Sequence, residues 1–100
     1  MVDPFSNEPG HIHILVTGRV QGVGFRSFVQ QSGIQLNLTG WVQNVGYDMV
    51  EAVAEGPHDK LDKFVELVKT GPRSARVDEA RVEWGIVSGE YNHFGIKYVD

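Results

Sequence analysis

The succession of apolar periods predicts an α+β fold of the order β-α-β-β-α-β, a mostly antiparallel sheet with two helices on one face. Three observations carry this expectation. Short runs alternate apolar and polar residues with period two, the mark of half-buried strands. Two longer stretches repeat apolar residues at helical spacing. Glycine, proline and asparagine mark the boundaries between them. A chain of 100 residues is the size of one ordinary domain, and it buries roughly two-thirds of the surface its unfolded form exposes.

Residues 1–10, MVDPFSNEPG, carry two prolines and polar spacers. They are expected to form a flexible tail before a single domain over residues 11–100. From His11 to Thr17, Ile12, Ile14 and Val16 fall on one side of a strand. Phe25, Phe28, Val29 and Leu36 have helical spacing, so a helix is expected over about Phe25–Leu36, with Gly33 weakening it by about 1 kcal/mol relative to alanine. Asn37 suits a left-handed stop. Leu38–Gln43 and Met49–Glu55 read as two strands joined by a hairpin, Asn44-Val45-Gly46-Tyr47-Asp48, with Gly46 or Asp48 at positive φ.

Gly56-Pro57 opens a second helix, whose positive end favours Asp59. Its apolar face is Leu61, Phe64, Val65 and Val68, and Gly71-Pro72 ends it. Val77, Ala80, Val82 and Trp84 then suggest a strand with Glu79, Arg81 and Glu83 in solvent. Phe94, Ile96 and Tyr98 alternate in a last strand, so the fourth strand continues into a fifth or a ribbon. This order suits a ferredoxin-like sandwich.

Composition narrows the function classes. The apolar fraction of 41% and charged fraction of 22% are those of a globular protein. A net charge of −4 argues against broad nucleic-acid binding, though local donors can still hold a small anion. Without cysteine, disulfides, thiolate nucleophiles and sulfur-ligated metals are excluded. No apolar run approaches the ~20 residues of a membrane span, and no secretory signal is visible. The expectation is a soluble, cytoplasmic monomer.

The stretch most suggestive of chemistry is residues 18–26, GRVQGVGFR. A strand runs into a glycine-rich loop and then a helix. Backbone N–H groups can converge there, and the helix end adds unpaired donors and partial positive charge. Glycine permits positive φ and close approach of an anion. The expected seat for a phosphate-sized anion is made by the amides of Arg19, Val20, Gln21, Gly22, Val23 and Gly24. Arg26, in the first helical turn, can grip two phosphate oxygens. It sits badly against the helix dipole unless both share an anion. The plainer reading of Arg26 is a solvated surface residue. His11 and His13 share a strand face and could ligate a metal, but no third ligand is evident, and exposed strand histidines are the simpler reading. Trp41 is expected in the core or at its rim. Ser27, Ser32 and Ser74 lack partners in a triad order.

GRVQGVGFR, followed by Gly40-Trp41-Val42-Gln43-Asn44, by Gly71-Pro72-Arg73-Ser74-Ala75-Arg76-Val77 and by Phe94-Gly95-Ile96-Lys97-Tyr98, resembles the acylphosphatase family. The resemblance covers residues 11–99. It implies a small cytosolic hydrolase of ferredoxin-like fold that cleaves small-molecule acyl phosphates, with no metal and no cofactor. It places the family's catalytic arginine on Arg26 and its catalytic asparagine on Asn44. An asparagine also commonly opens a hairpin turn, which is the bland alternative for Asn44. Three positions depart from the family pattern. A basic residue is common where Gln43 stands, glycine where Asp48 stands and alanine where Gly33 stands.

Two other classes remain. The same fold serves as a phosphate- or carbamoyl-phosphate-binding module at the front of hydrogenase-maturation proteins. Those carry long additional domains, and the end of this chain at Asp100 favours a free-standing enzyme. RNA-binding domains share the general topology, but they stack bases on aromatic residues of the central strands. Here His11, His13 and Leu15 would stand on that face.

Overall fold

The computed structural model describes residues 8–98. Five strands and two helices follow one another as β1 (Pro9–Arg19), α1 (Phe25–Gln35), β2 (Thr39–Val45), β3 (Met49–Pro57), α2 (His58–Thr70), β4 (Arg76–Gly85) and β5 (Phe94–Ile96). They form one sheet in the order β4-β1-β3-β2-β5. The first three pairings are antiparallel, and β2–β5 is parallel. The predicted ferredoxin-like α+β architecture is the one observed.

The inner face of the sheet is read directly from period two. Ile12, Ile14 and Val16 of β1, Val42 of β2, and Val50, Ala52 and Ala54 of β3 are all buried. Phe25 and Val29 of α1 and Leu61, Phe64 and Val68 of α2 close over them in one core. Phe28, Leu36 and Val65 complete the expected helical stripes as half-buried residues against that core.

Several boundaries differ from expectation. Pro9 and Gly10, assigned to the tail, lie in β1 opposite Pro57 and Gly56. The rest of the tail, residues 1–7, lies outside the described residues. At its other end β1 continues to Arg19 through a bulge between Thr17 and Gly18. β2 continues to Val45, so Asn44 stands inside a strand and the turn is Gly46-Tyr47-Asp48. Gly46 takes the positive φ, 59°, and Asp48 does not. Asn37 is left-handed as expected, at φ 59°.

The fifth strand is a separate element on the opposite edge of the sheet from β4. Residues 86–93 carry the chain across the outer face to reach it. Glu55 holds this crossing. Its carboxylate accepts hydrogen bonds from the Ser88 N–H (2.8 Å), the Ser88 hydroxyl (2.9 Å) and the Gly89 N–H (3.0 Å). His11 Nδ1 donates to the same group at 2.6 Å from the position directly opposite. His13 pairs diagonally with Glu51 at 2.6 Å, and Gln43 donates to Glu51 at 2.7 Å. The two histidines are therefore half-buried and hydrogen-bonded to carboxylates across the sheet, rather than exposed. No group of three metal-ligating side chains occurs among the described residues. Trp41 also departs from expectation. It stands half-buried on the outer face, away from the core, with the Lys97 ammonium 4.1 Å above its ring.

Burial pushes the Glu55 carboxyl up, but the hydrogen bonds from His11, Ser88 and Gly89 outweigh it and hold the group at about 2. A carboxyl held below its ordinary 4.5 contributes stability that is complete above that value and is lost as pH falls toward about 2. Urea unfolding should show an acid limb between about pH 5 and pH 2. Glu55→Gln should flatten that limb and lower stability near neutrality by about 2 kcal/mol, the worth of hydrogen bonds to a charged group.

Gly33 packs directly against β5. A Cβ there would lie 2.4 Å from the ring of Phe94, which is 3% exposed and tilted against Phe64 at 5.6 Å. The ring has nowhere to go. Gly33→Ala gains helix propensity but must push α1 from β5, so net destabilisation on the order of 1–3 kcal/mol is expected by urea titration.

Candidate active site

Residues 20–24 join β1 to α1. Gly22 and Gly24 are left-handed, at φ 73° and 76°. A Cβ at either would meet nothing within 4 Å, so the space above the loop is open to a ligand. Gly24 is also the N-cap of α1 and supplies no side-chain cap, and no acidic residue stands in the first turn. The first N–H groups of the helix are thus left for another acceptor.

The loop is fixed from both sides. The Gln21 amide nitrogen lies within hydrogen-bonding reach of the carbonyls of Val45 (3.2 Å), Gly46 (3.1 Å) and Met49 (2.9 Å), tying the loop to the β2–β3 hairpin. Gly18 N–H donates to the Asp48 carbonyl at 3.0 Å, a second tie to the hairpin. Ser74 Oγ donates to the Val23 carbonyl at 3.0 Å. The buried side chain of Val20 anchors the loop below.

Asn44 lies on β2 two residues after the buried Val42, so period two turns it to the helix side of the sheet. It meets the N-terminus of α1 there. Val20, Gly22, Gly24, Phe25, Arg26, Ser27 and Asn44 line one cavity of about 110 Å³. Asn44 Oδ1 is buried and has no hydrogen-bond partner, alone in this among the side-chain atoms of the described residues. A buried acceptor without a partner is costly and uncommon, so its position beside an arginine and an open glycine loop points to a ligand or water. Two larger clefts, each about 220 Å³, open elsewhere. Neither includes the glycine loop or a helix N-terminus.

Of the residues expected at the site, Val20, Gly22, Gly24, Arg26 and Asn44 are brought together. Arg19 is exposed at the end of β1, opposite Arg76 of β4. Val23 packs against the core, and the Gln21 side chain is committed to the hairpin. These three do not line the cavity. Phe25 and Ser27 do, although Phe25 was expected only in the apolar stripe of the helix and Ser27 only as a serine without triad partners; their places in the first turn after Gly24 were the available signal. The pinning roles of the Gln21 and Ser74 side chains had no sequence signal, because their partners are carbonyls 24 to 51 residues away.

The acylphosphatase family model matches residues 12–96. This chain belongs to the acylphosphatase family. It is 40% identical to an acylphosphatase of Syntrophotalea carbinolica over 91% of this chain and 99% of that one. It is similar to the crystal structure of an acylphosphatase from Bacillus subtilis, with TM-score 0.85 and 42% identity over 89% of this chain and 99% of that chain. It also resembles part of full-length HypF, solved in a phosphate- and nucleotide-bound form. That match has TM-score 0.79 and 30% identity, over 95% of this chain and 12% of the longer one.

The departures from the family pattern fall away from the cavity lining. Gln43 points to the outer face, where it donates to Glu51. Burial raises the Glu51 carboxyl, but the bonds from His13 and Gln43 prevail and lower it. Asp48 contributes its carbonyl to Gly18.

The enzyme's loop depends on Gln21 for its pose. Gln21→Leu should leave the fold intact by circular dichroism and lower kcat/KM for benzoyl phosphate about ten- to a hundredfold, the scale for small misplacement of a reacting group. Unchanged kcat/KM would show that the loop holds its shape without the hairpin.

Proposed function

We propose that the enzyme cleaves the carboxyl–phosphate anhydride by direct attack of one water that Asn44 orients. The phosphoryl group sits in the cavity, held by the loop amides at Gly22 and Gly24, the free N–H groups of α1 and the Arg26 guanidinium. The carboxylate is already a good leaving group, so catalysis consists mainly of seating the phosphoryl group, balancing its charge and aiming the nucleophile. The bond from the water oxygen to phosphorus forms as the bond from phosphorus to the acyl oxygen breaks, releasing carboxylate and inorganic phosphate.

The observation that carries this reading is the buried, unpartnered Oδ1 of Asn44, a residue that lines the same cavity as Arg26. An amide oxygen accepts a hydrogen bond from a water without adding negative charge beside a phosphate. The arginine fork matches phosphoryl oxygens two at a time, and preorganised donors act most strongly where charge develops.

Arg26→Ala and Asn44→Ala should each lose on the order of 3 kcal/mol or more of transition-state stabilisation in hydrolysis of benzoyl phosphate. Both variants should keep the wild-type unfolding free energy, read by urea titration, within about 1 kcal/mol. Ordinary turnover by folded Asn44→Ala would overturn the water-positioning role. Phosphate binding without turnover of any acyl phosphate by the wild-type chain would favour a binding module instead.

A further inference from the structure

The edge strand β5 and the helix α1 meet along one line. Arg26, Gln30 and Gly33 recur at i, i+4 and i+7, so they share one side of α1. Gly33 rests on the ring of Phe94. Gln30 Nε2 donates to the Phe94 carbonyl at 3.2 Å. Lys97 N–H donates to the Val42 carbonyl at 2.8 Å, carrying the β2 ladder one residue past Ile96. Lys97 turns outward over Trp41, so period two turns Tyr98 inward, on the side of Phe94 and Ile96. There its ring centroid lies 5.1 Å from the Arg26 guanidinium carbon.

We propose that Tyr98 is a positioning residue that holds the Arg26 guanidinium in the site before substrate arrives. A guanidinium over an aromatic ring is attracted through its face. Its N–H donors lie in the plane of the fork and stay free to point at phosphoryl oxygens. The ring thus restrains a long, rotamer-rich side chain without competing for its hydrogen bonds. A carboxylate at the same place would compete with the phosphoryl group for those donors. Tyr98 is 75% exposed, so it contributes little to the core, and its interaction with Arg26 is the contact that gives it a role. The Gly33–Phe94 approach sets the spacing of α1 from β5 that this contact needs.

This role rests on the reading of Arg26 as the phosphoryl clamp, and the test separates the two. Phosphate affinity is read from the amide NMR shifts of Gly22 and Gly24, which needs no turnover. The full chain is compared with Tyr98→Leu, Tyr98→Phe, Arg26→Ala and the Arg26→Ala/Tyr98→Leu double variant. Tyr98→Leu should weaken phosphate binding about three- to fivefold, the scale of a cation–π contact near the surface. KM should rise by the same factor for acetyl phosphate and benzoyl phosphate, with the urea midpoint unchanged. Tyr98→Phe keeps the ring and should restore both constants. In the Arg26→Ala background Tyr98→Leu should add nothing.

Wild-type phosphate affinity in Tyr98→Leu overturns the role, as does a Tyr98 effect that survives without Arg26. A loss confined to benzoyl phosphate would make Tyr98 a wall for the acyl group, which also overturns it. If Arg26→Ala loses phosphate and Tyr98→Leu does not, only the Tyr98 role fails. If Arg26→Ala binds phosphate like the wild type, the clamp and its positioning residue fall together.

Discussion

The site depends first on one side-chain amide. The loop after β1 and the hairpin between β2 and β3 are separate parts of the chain, and the cavity exists only where they abut. Gln21 reaches the carbonyls of Val45, Gly46 and Met49, and so ties the strand end that carries Asn44 to the loop that carries Gly22 and Gly24. A surface loop rich in glycine would otherwise sample many conformations. A single buried-edge donor facing three acceptors fixes it at the cost of one side chain's rotamers. The preorganisation that an anion site requires is therefore supplied from outside the cavity lining, and the lining itself can stay open.

The two faces of the sheet divide the work. The inner face is apolar almost to its end, where Asn44 replaces the next core residue and meets the helix N-terminus. The outer face is polar and built from cross-strand pairs, His11 with Glu55 and His13 with Glu51, which stabilise antiparallel neighbours. Glu55, at 3% exposure, would be an expensive charge to bury alone. It is tolerated because His11 and the crossing segment at Ser88 and Gly89 surround it with donors. That same segment delivers β5 to the far edge, where Phe94 closes the core against α1. The carboxylate on one face and the helix position on the other are thus linked through the path of residues 86–93.

Elements with a strong period were legible in the sequence. Ile12, Ile14 and Val16, or Leu61, Phe64 and Val68, announce their buried face through spacing alone. Arg26 and the glycine loop were legible because strand, glycine and helix follow one another locally. What stayed hidden depended on residues distant in sequence. Nothing near Asn44 distinguishes a turn opener from the last inward residue of a strand, since the difference is set by its pairing opposite Val50. The β5 edge was hidden for a similar reason. Phe94, Ile96 and Tyr98 announce a strand by their alternation, but its parallel partner in β2 is some fifty residues away, so its place in the sheet was not legible. Exposed histidines were a fair expectation from two alternating positions, and the carboxylates that cover them come from β3.

The net charge of −4 looks ill-suited to an anionic substrate until the charges are placed. Glu51 and Glu55 face outward, where histidine, amide and backbone donors satisfy them, and Asp78 pairs with Arg76. The cavity lining contains one full charge, on Arg26, and it is positive. Coulomb attraction in a partly dehydrated site is set by what lies within a few ångströms far more than by the sum over the surface. The choice of asparagine at position 44 follows the same logic. A carboxylate would be the stronger proton acceptor, but in the proposed mechanism it would repel the phosphoryl group and compete with it for the Arg26 donors. A neutral amide leaves Arg26 available and leaves its own oxygen unsatisfied. That oxygen carries an unfavourable burial of about 1–3 kcal/mol that a bound water or ligand can relieve, which is the place where the proposed mechanism calls for the attacking water.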